Sequence, residues 1–430
     1  MCRKARRAHS ARSPRGRLAG SGAASSQRTT QHNAIHTHMT APSAASTVPA
    51  STATSPSTAS KPAVANGAPP PLQSKGGKKI LLLGFDLGTN KSCLIAGAAS
   101  DNDIAVGKIV PSVVGYVKSG IVNGIIPGNA DVLFGDDAVK NRLHVQIARP
   151  VLDGVVADER AIRDFMKYTR GLIDPSGEAE IRAVIGVPAN ATAAARDNIR
   201  HSVAGVFDRV LLIPEPFLAA LGVRDDSRLG QSGYVDPVNN SLFVDIGAGT
   251  TDLCLVQGYF PTAEDQISFA FAGDAIDDRI LAAIEQVYPE SGLSSHKVRE
   301  IKEAHAYVGP SRKPIDVKVI IGGKARTIEL GDVIGDACNA LLDKIFENIK
   351  RLIARASSDG VEQLLQNIIV TGGGSQIRGI DTELQKRLVA EGYENPKVRV
   401  AGQDYQRYVG IGALKAARSA RENQWQYVLS

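Results

Sequence analysis

Cysteine is scarce: the 430 residues hold four, Cys2, Cys93, Cys254 and Cys338, and no Cys-x-x-Cys pair. That excludes a disulfide scaffold and a zinc site of the ribbon or finger type. Three of the four sit in apolar runs, as buried reduced thiols do. Acid is missing from one whole region. Residues 1–79 contain 12 Lys and Arg and no Asp or Glu. Beyond them 38 basic residues face 44 acidic ones, a net of −6, so the overall charge of +6 belongs to the tail. The remainder has no basic excess of the kind that grips nucleic acid. No apolar run approaches the roughly 18 residues of a membrane-spanning helix. Two phosphate motifs are absent as well. Neither a GxxxxGK[ST] loop nor a GxGxxG turn between strand and helix occurs, which excludes the two commonest nucleotide folds.

What is present begins with a tail. Residues 1 to about 77 are rich in Ala, Ser, Thr and Pro, without apolar periodicity, and such a composition cannot bury enough surface to fold alone. Three readings are open: a disordered basic tail, an organellar transit sequence, or a chain whose translation starts at Met39.

From about Lys79 strands alternate with helices, the pattern of α/β layers. Strand-like runs are KKILLLGFDLG, IRAVIGVPANA (181–191), RVLLIPEP (209–216), SLFVDIG and NIIVTGGGSQIRG (367–379). Helical spacing covers 192–207, 276–288, 296–307 and 331–356, and Thr192 is a plausible helix start. IDVKVIIGGKARTIEL (315–330) alternates around Gly-Gly and predicts a hairpin.

One internal repeat matters most. An apolar strand ends in Asp86, continues as Leu87-Gly88-Thr89 and turns apolar again at SCLI. A second ends in Asp245, continues as Ile246-Gly247 and Thr250-Thr251, and turns apolar again at LCLV. Glycines after a strand let the backbone approach a ligand, and successive N–H groups in such a turn form an anion-binding nest. Thr89, Ser92, Thr250 and Thr251 add hydroxyl donors. Two such hairpins facing each other could grip a polyphosphate. The acids then need a divalent cation between them and the phosphates, because Mg²⁺ keeps waters and takes few carboxylates. A single copy is read as easily as a turn Asp satisfying its own backbone; the matched pair favours the clamp.

These segments resemble the superfamily of actins, sugar kinases and heat-shock chaperone ATPases. DLGTNKS (86–92) looks like its first phosphate motif, DIGAGTTD (245–252) its second and TGGGSQIRG (371–379) its adenosine motif. Within it, RPVLDGVVAD (149–158) and PEPFLAALG (214–222) resemble the MreB family. PSVVGYVK (111–118), PTAEDQISFAFAG (261–273) and IKEAHAYVG (301–309) are similar to the MamK family of magnetosome-filament actins.

The resemblance covers about 80–430 and implies an actin-like ATPase fold. Two duplicated α/β domains would flank a nucleotide cleft. The first would span 79–242 with a small subdomain near 111–147. The second would span 243–409 with one near 281–331. Residues 410–430 would return to close the first, and 1–78 would be the tail.

The resemblance also implies the site. Glu215 would position the water that attacks the γ-phosphate, although between two prolines it reads equally as a helix cap. Asp86 and Asp245 would hold Mg²⁺ through water. Gly88, Thr89, Asn90, Lys91 and Ser92 would face Gly247, Ala248, Gly249, Thr250 and Thr251 across the phosphates. Lys91 reads equally as a phosphate contact or a solvent-facing side chain. Lys302 and Glu303 would line the ribose and adenine side, Gly273 would lie near the ribose and phosphates, and Gly372, Gly373, Gly374 and Ser375 would pass against the adenine. On pattern alone Lys302 and Glu303 are an exposed helix pair.

The function implied is a cytoplasmic, cytoskeletal ATPase that binds Mg-ATP, self-associates into filaments and hydrolyses ATP. Its expected role is intracellular organisation such as magnetosome positioning, with organelle-linked or membrane-linked adaptors as partners. An MreB-like cell-shape filament and a non-polymerising adaptor of the FtsA or PilM type are the alternatives.

Overall fold

The computed structural model describes residues 77–99, 103–310 and 314–427. All fall within one unit, Asn66–Ser430. The expectations for the basic tail lie outside the described residues.

Two sheets carry the molecule, and they share one plan. In the first, the edge-to-edge order is Gln426–Tyr427, Arg209–Pro214, Glu180–Val187, Ile80–Leu87, Lys91–Ala98 and Val106–Pro111. In the second it is Val398–Val400, Ile368–Thr371, Ser241–Ile246, Thr251–Val256 and Gln266–Phe269. Each has a leading strand, Ile80–Leu87 or Ser241–Ile246. On one side of it run two antiparallel strands in sequence. On the other lie two parallel strands reached by crossovers. The repeat seen in two short motifs is thus a repeat of whole sheets. The first sheet gains a sixth strand from the chain's end, where Gln426–Tyr427 pairs with Arg209–Val210.

Composition explains the strands. Ile80–Leu87, Glu180–Val187 and Ser241–Ile246 are near-continuous apolar runs, as strands covered on both faces require, and nearly all their residues are buried. Asp316–Ile321 and Lys324–Glu329 form the hairpin that the alternation predicts, turning at Gly322-Gly323. Residues 114–148 add a separate three-stranded sheet over a small core of Ile126, Leu133, Ala138 and Val145.

Helices match the periodicity with shifts at their ends. They run Gly273–Val287, Ser295–His305 and Gly331–Ile353. Thr192 caps its helix by accepting from the Ala195 amide at 3.1 Å. That helix stops at Ser202, short of the expected 207. Gly205 at φ +72° takes the chain into left-handed backbone there, a normal helix exit.

Two helices, Glu215–Val223 and Tyr408–Ser419, lie between the sheets. Their buried residues Leu218, Ala219, Val409 and Ala413 share one core with Leu82 and Val184 of the first sheet and Phe243 and Ile369 of the second. Cys93 and Cys254 are buried there as free thiols, and Cys338 is buried elsewhere. Among the last described residues Trp425 is buried, and the Arg209 guanidinium lies 4.4 Å over the Tyr427 ring. No helix among the described residues is long and apolar enough to cross a membrane.

Candidate functional site

Both leading strands end at the same place. The tips of the hairpins 80–98 and 241–256 meet at a cavity of about 340 Å³. Of the predicted residues, Asp86, Gly88, Thr89, Asn90, Lys91 and Ser92 line it from one side. Asp245, Gly247, Ala248, Gly249 and Thr250 line it from the other. Glu215 lies at the start of the central helix and also faces the cavity, with Gly273, Lys302, Glu303, Gly372, Gly373 and Gly374.

Two predicted residues do not line it. The Thr251 hydroxyl is buried and donates to the Phe271 carbonyl at 2.9 Å. The Ser375 hydroxyl donates to the Gly372 carbonyl at 2.7 Å and shapes the glycine turn. Both are spent inside the protein. Lys91 is exposed at the rim.

The glycine turn is fitted to the second acid. Gly372 has φ +77°, and a Cβ there would stand 2.3 Å from Asp245 Oδ1. No side chain fits that position, so the turn can press against the end of the strand.

The cavity floor is acidic. Asp245 lines the cavity from a buried position and Asp86 and Glu215 keep part of their surface toward it, while Asp252 is buried behind them and does not line it. Burial pushes the Asp86 carboxyl up to about 7. Burial, followed by the charges of Asp86 and Asp252, raises Asp245 to about 8. Glu215 is driven well above its usual range by burial, and then by Asp86, Asp252 and Asp245. Asp252 is raised by burial and held back by the Ala189 amide, which donates to it at 2.8 Å. That bond ties the second hairpin to the VPAN loop of the first sheet.

Such a floor suits a cation. Three carboxylates around one cavity, with a fourth buried behind them, are relieved by positive charge. Among the described residues no three His, Cys, Asp or Glu converge as direct ligands. The donor set therefore fits a hydrated Mg²⁺ held through water rather than a dedicated protein cage.

A pH effect follows. Free carboxyls titrate near 3.8, whereas folded Asp86 and Asp245 hold their protons to about 7 and 8. Between those values the folded state binds more protons than the unfolded one. Their contribution is fully present below the unfolded value and is lost as pH rises through the folded ones. Melted without nucleotide or divalent cation, the protein should lose thermal stability between about pH 5 and about pH 9. A melting temperature that rises over this window would contradict the acidic floor.

Several lining residues were not legible in the sequence. Arg299, Gln376, Tyr405 and Gln406 reach the cavity. Only Arg299 carried a signal: it precedes Lys302 by one helical turn and shares its face. Lys302 itself donates to the Gly273 carbonyl at 2.8 Å and pairs with Asp277 at 2.9 Å.

Comparison with known proteins gives a consistent result. Residues 81–411 match the family described as MreB/Mbl protein. The actin-like protein MamK of Magnetospirillum gryphiswaldense is 30% identical over 72% of this chain and 82% of its own. A MamK-like protein of Paramagnetospirillum magneticum is 29% identical over 81% of this chain and 97% of its own. Among solved structures, the MamK double helical filament superposes with a TM-score of 0.69 at 30% identity, covering 79% of this chain and 99% of that one. A non-polymerising MamK mutant bound to AMPPNP superposes at 0.56, also at 30% identity, over 79% of this chain and 99% of that one.

Proposed function

Because this chain belongs to the MreB/Mbl family, whose relatives here are actin-like, we propose that it is a cytoskeletal filament protein that binds ATP in the cavity and hydrolyses it. The carrying observation is that both hairpin tips and the glycine turn converge on one acid-floored cavity. The filament reading draws on MamK, which forms a double helical filament and matches 79% of this chain at 30% identity. A subunit with unlike ends that adds head to tail makes an open polymer.

The family resemblance and the placement of these residues around the cavity support the following roles. Backbone N–H groups at 88–92 and 247–250 would hold the phosphates. Asp86 and Asp245 would hold Mg²⁺ through its waters. Once bound, that ion would offset the charge of the phosphates and the carboxylates together. Glu215 would orient the attacking water by accepting a hydrogen bond from it, since phosphoryl transfer asks more for a placed nucleophile than for a strong base. Lys302 and Glu303 would border the ribose, and Gly372, Gly373 and Gly374 the base. The domain division at about residue 242 is proposed on the same footing.

The MamK relatives favour a role in cytoplasmic organisation of the magnetosome-positioning kind over cell-wall shaping.

Sedimentation tests the proposal. The protein is expected to pellet with ATP above a critical concentration, and far less with ADP or no nucleotide. No pellet at any concentration would overturn the filament reading.

A further inference from the structure

Four side chains form a continuous polar chain that reaches the edge of the cavity at Asn90 and Arg299. Arg149 Nη1 donates to Asp274 Oδ2 at 2.9 Å. Asp274 Oδ1 accepts from Arg299 Nη2 at 2.9 Å. Arg299 Nη1 donates to Asn90 Oδ1 at 2.6 Å. Arg149 follows the small three-stranded sheet, and Asn90 is at the tip of the first hairpin. Asp274 opens the helix Gly273–Val287, and Arg299 lies on the helix Ser295–His305. The middle pair is therefore held at both ends by the N-terminal part of the chain, across separations of 125 and 209 residues.

This chain is anchored to the cavity itself. Asn90 and Arg299 both line it. The Asp274 amide donates to the Ala248 carbonyl at 2.7 Å, which fixes its helix to the second hairpin tip. Arg299 is braced by Asp277 at 3.4 Å. Side-chain exposure is 29% for Arg149, 19% for Asp274 and 15% for Arg299. Solvent screening is thus reduced but not removed, and the four partners must part together if the two sides separate.

We propose that Arg149, Asp274, Arg299 and Asn90 form an electrostatic clasp that sets how fast a phosphate-bearing ligand leaves the cavity. The proposal rests on the nucleotide reading above. Arg149 and Asp274 do not line the cavity, so their effect falls on opening rather than on ligand contacts. Loss of one partner from such a shielded pair acts mainly on dissociation.

The test follows release of fluorescently labelled ADP from the full-length protein. Arg149→Ala and Asp274→Asn should each speed release by about tenfold. The double variant should be no faster than the quicker single one, because both break one link. Arg149→Lys should recover part of the retention. Release from the wild type should quicken with salt, and from Arg149→Ala far less. Wild-type release rates in both single variants would overturn the clasp. If the wild type retains no labelled ADP, the nucleotide reading falls and amide hydrogen exchange decides the clasp. Faster exchange at residues 88–92 in Arg149→Ala then supports it, and unchanged exchange overturns it.

Discussion

Glu215→Gln is expected to cut ATP turnover by about a hundredfold or more while nucleotide binding survives. Phosphoryl transfer depends on an oriented nucleophile, and glutamine keeps the shape of the side chain without its ability to take a proton. The same change should raise the stability of the nucleotide-free protein at pH 8. Glu215 shares the cavity floor with Asp86 and Asp245, and burial first, then the charges of Asp86, Asp252 and Asp245, push its carboxyl up. Removing that acid relieves the repulsion. Activity falling while stability rises is the signature of a site strained for function, and a mere helix cap would show neither. Steady-state phosphate release, labelled-nucleotide binding and thermal melts check the three parts. Unchanged turnover would remove Glu215 from the chemistry.

Gly412→Ala is expected to be the most destabilising glycine-to-alanine change among the described residues. The helices Glu215–Val223 and Tyr408–Ser419 touch backbone to backbone. A Cβ at Gly412 would stand 1.8 Å from the Leu218 carbonyl oxygen, and one at Gly222 would stand 1.9 Å from that of Tyr408. Neither obstacle is a flexible side chain that can swing away. Overpacking of this kind costs about 3 kcal/mol or more when backbone must move, and the melting temperature should drop by several degrees. Because these helices join both sheets, the loss should reach the cavity and weaken nucleotide binding as well. Gly171→Ala is the control. It lies within the helix Glu159–Ile173 with nothing inside 4 Å of its added Cβ. There alanine should stabilise by about 0.5–1 kcal/mol through helix propensity. Equal melting temperatures for Gly412→Ala and the wild type would rule out the close approach.

Much of the site was legible because its signals are local. An apolar strand ending in acid and glycine is read within eight residues, and it occurs twice. Both Asp86 and Asp245 line the cavity, as does Glu215. Thr251 and Ser375 carry the same local signal but do not line the cavity. A hydroxyl beside a phosphate loop looks like a donor to ligand, and only its surroundings reveal a backbone carbonyl already waiting. The helix expected to reach residue 207 stopped at Ser202, because apolar spacing continues past a residue whose backbone turns left-handed.

The sequence by itself determined the main strands, four of the helices to within a few residues, the 315–330 hairpin, and that two hairpins share one design. Those follow from periodicity, from glycine and from the cost of burying acid, all of which act over a few residues. Tertiary structure alone decided that both sheets follow one strand order, that two glycine-bearing helices wedge between them, and that Arg149 meets Asp274 while Arg299 meets Asn90. Those pairings join residues more than a hundred positions apart. Their partners are chosen by which surfaces the packed sheets bring within hydrogen-bond reach, and no local pattern carries that distance.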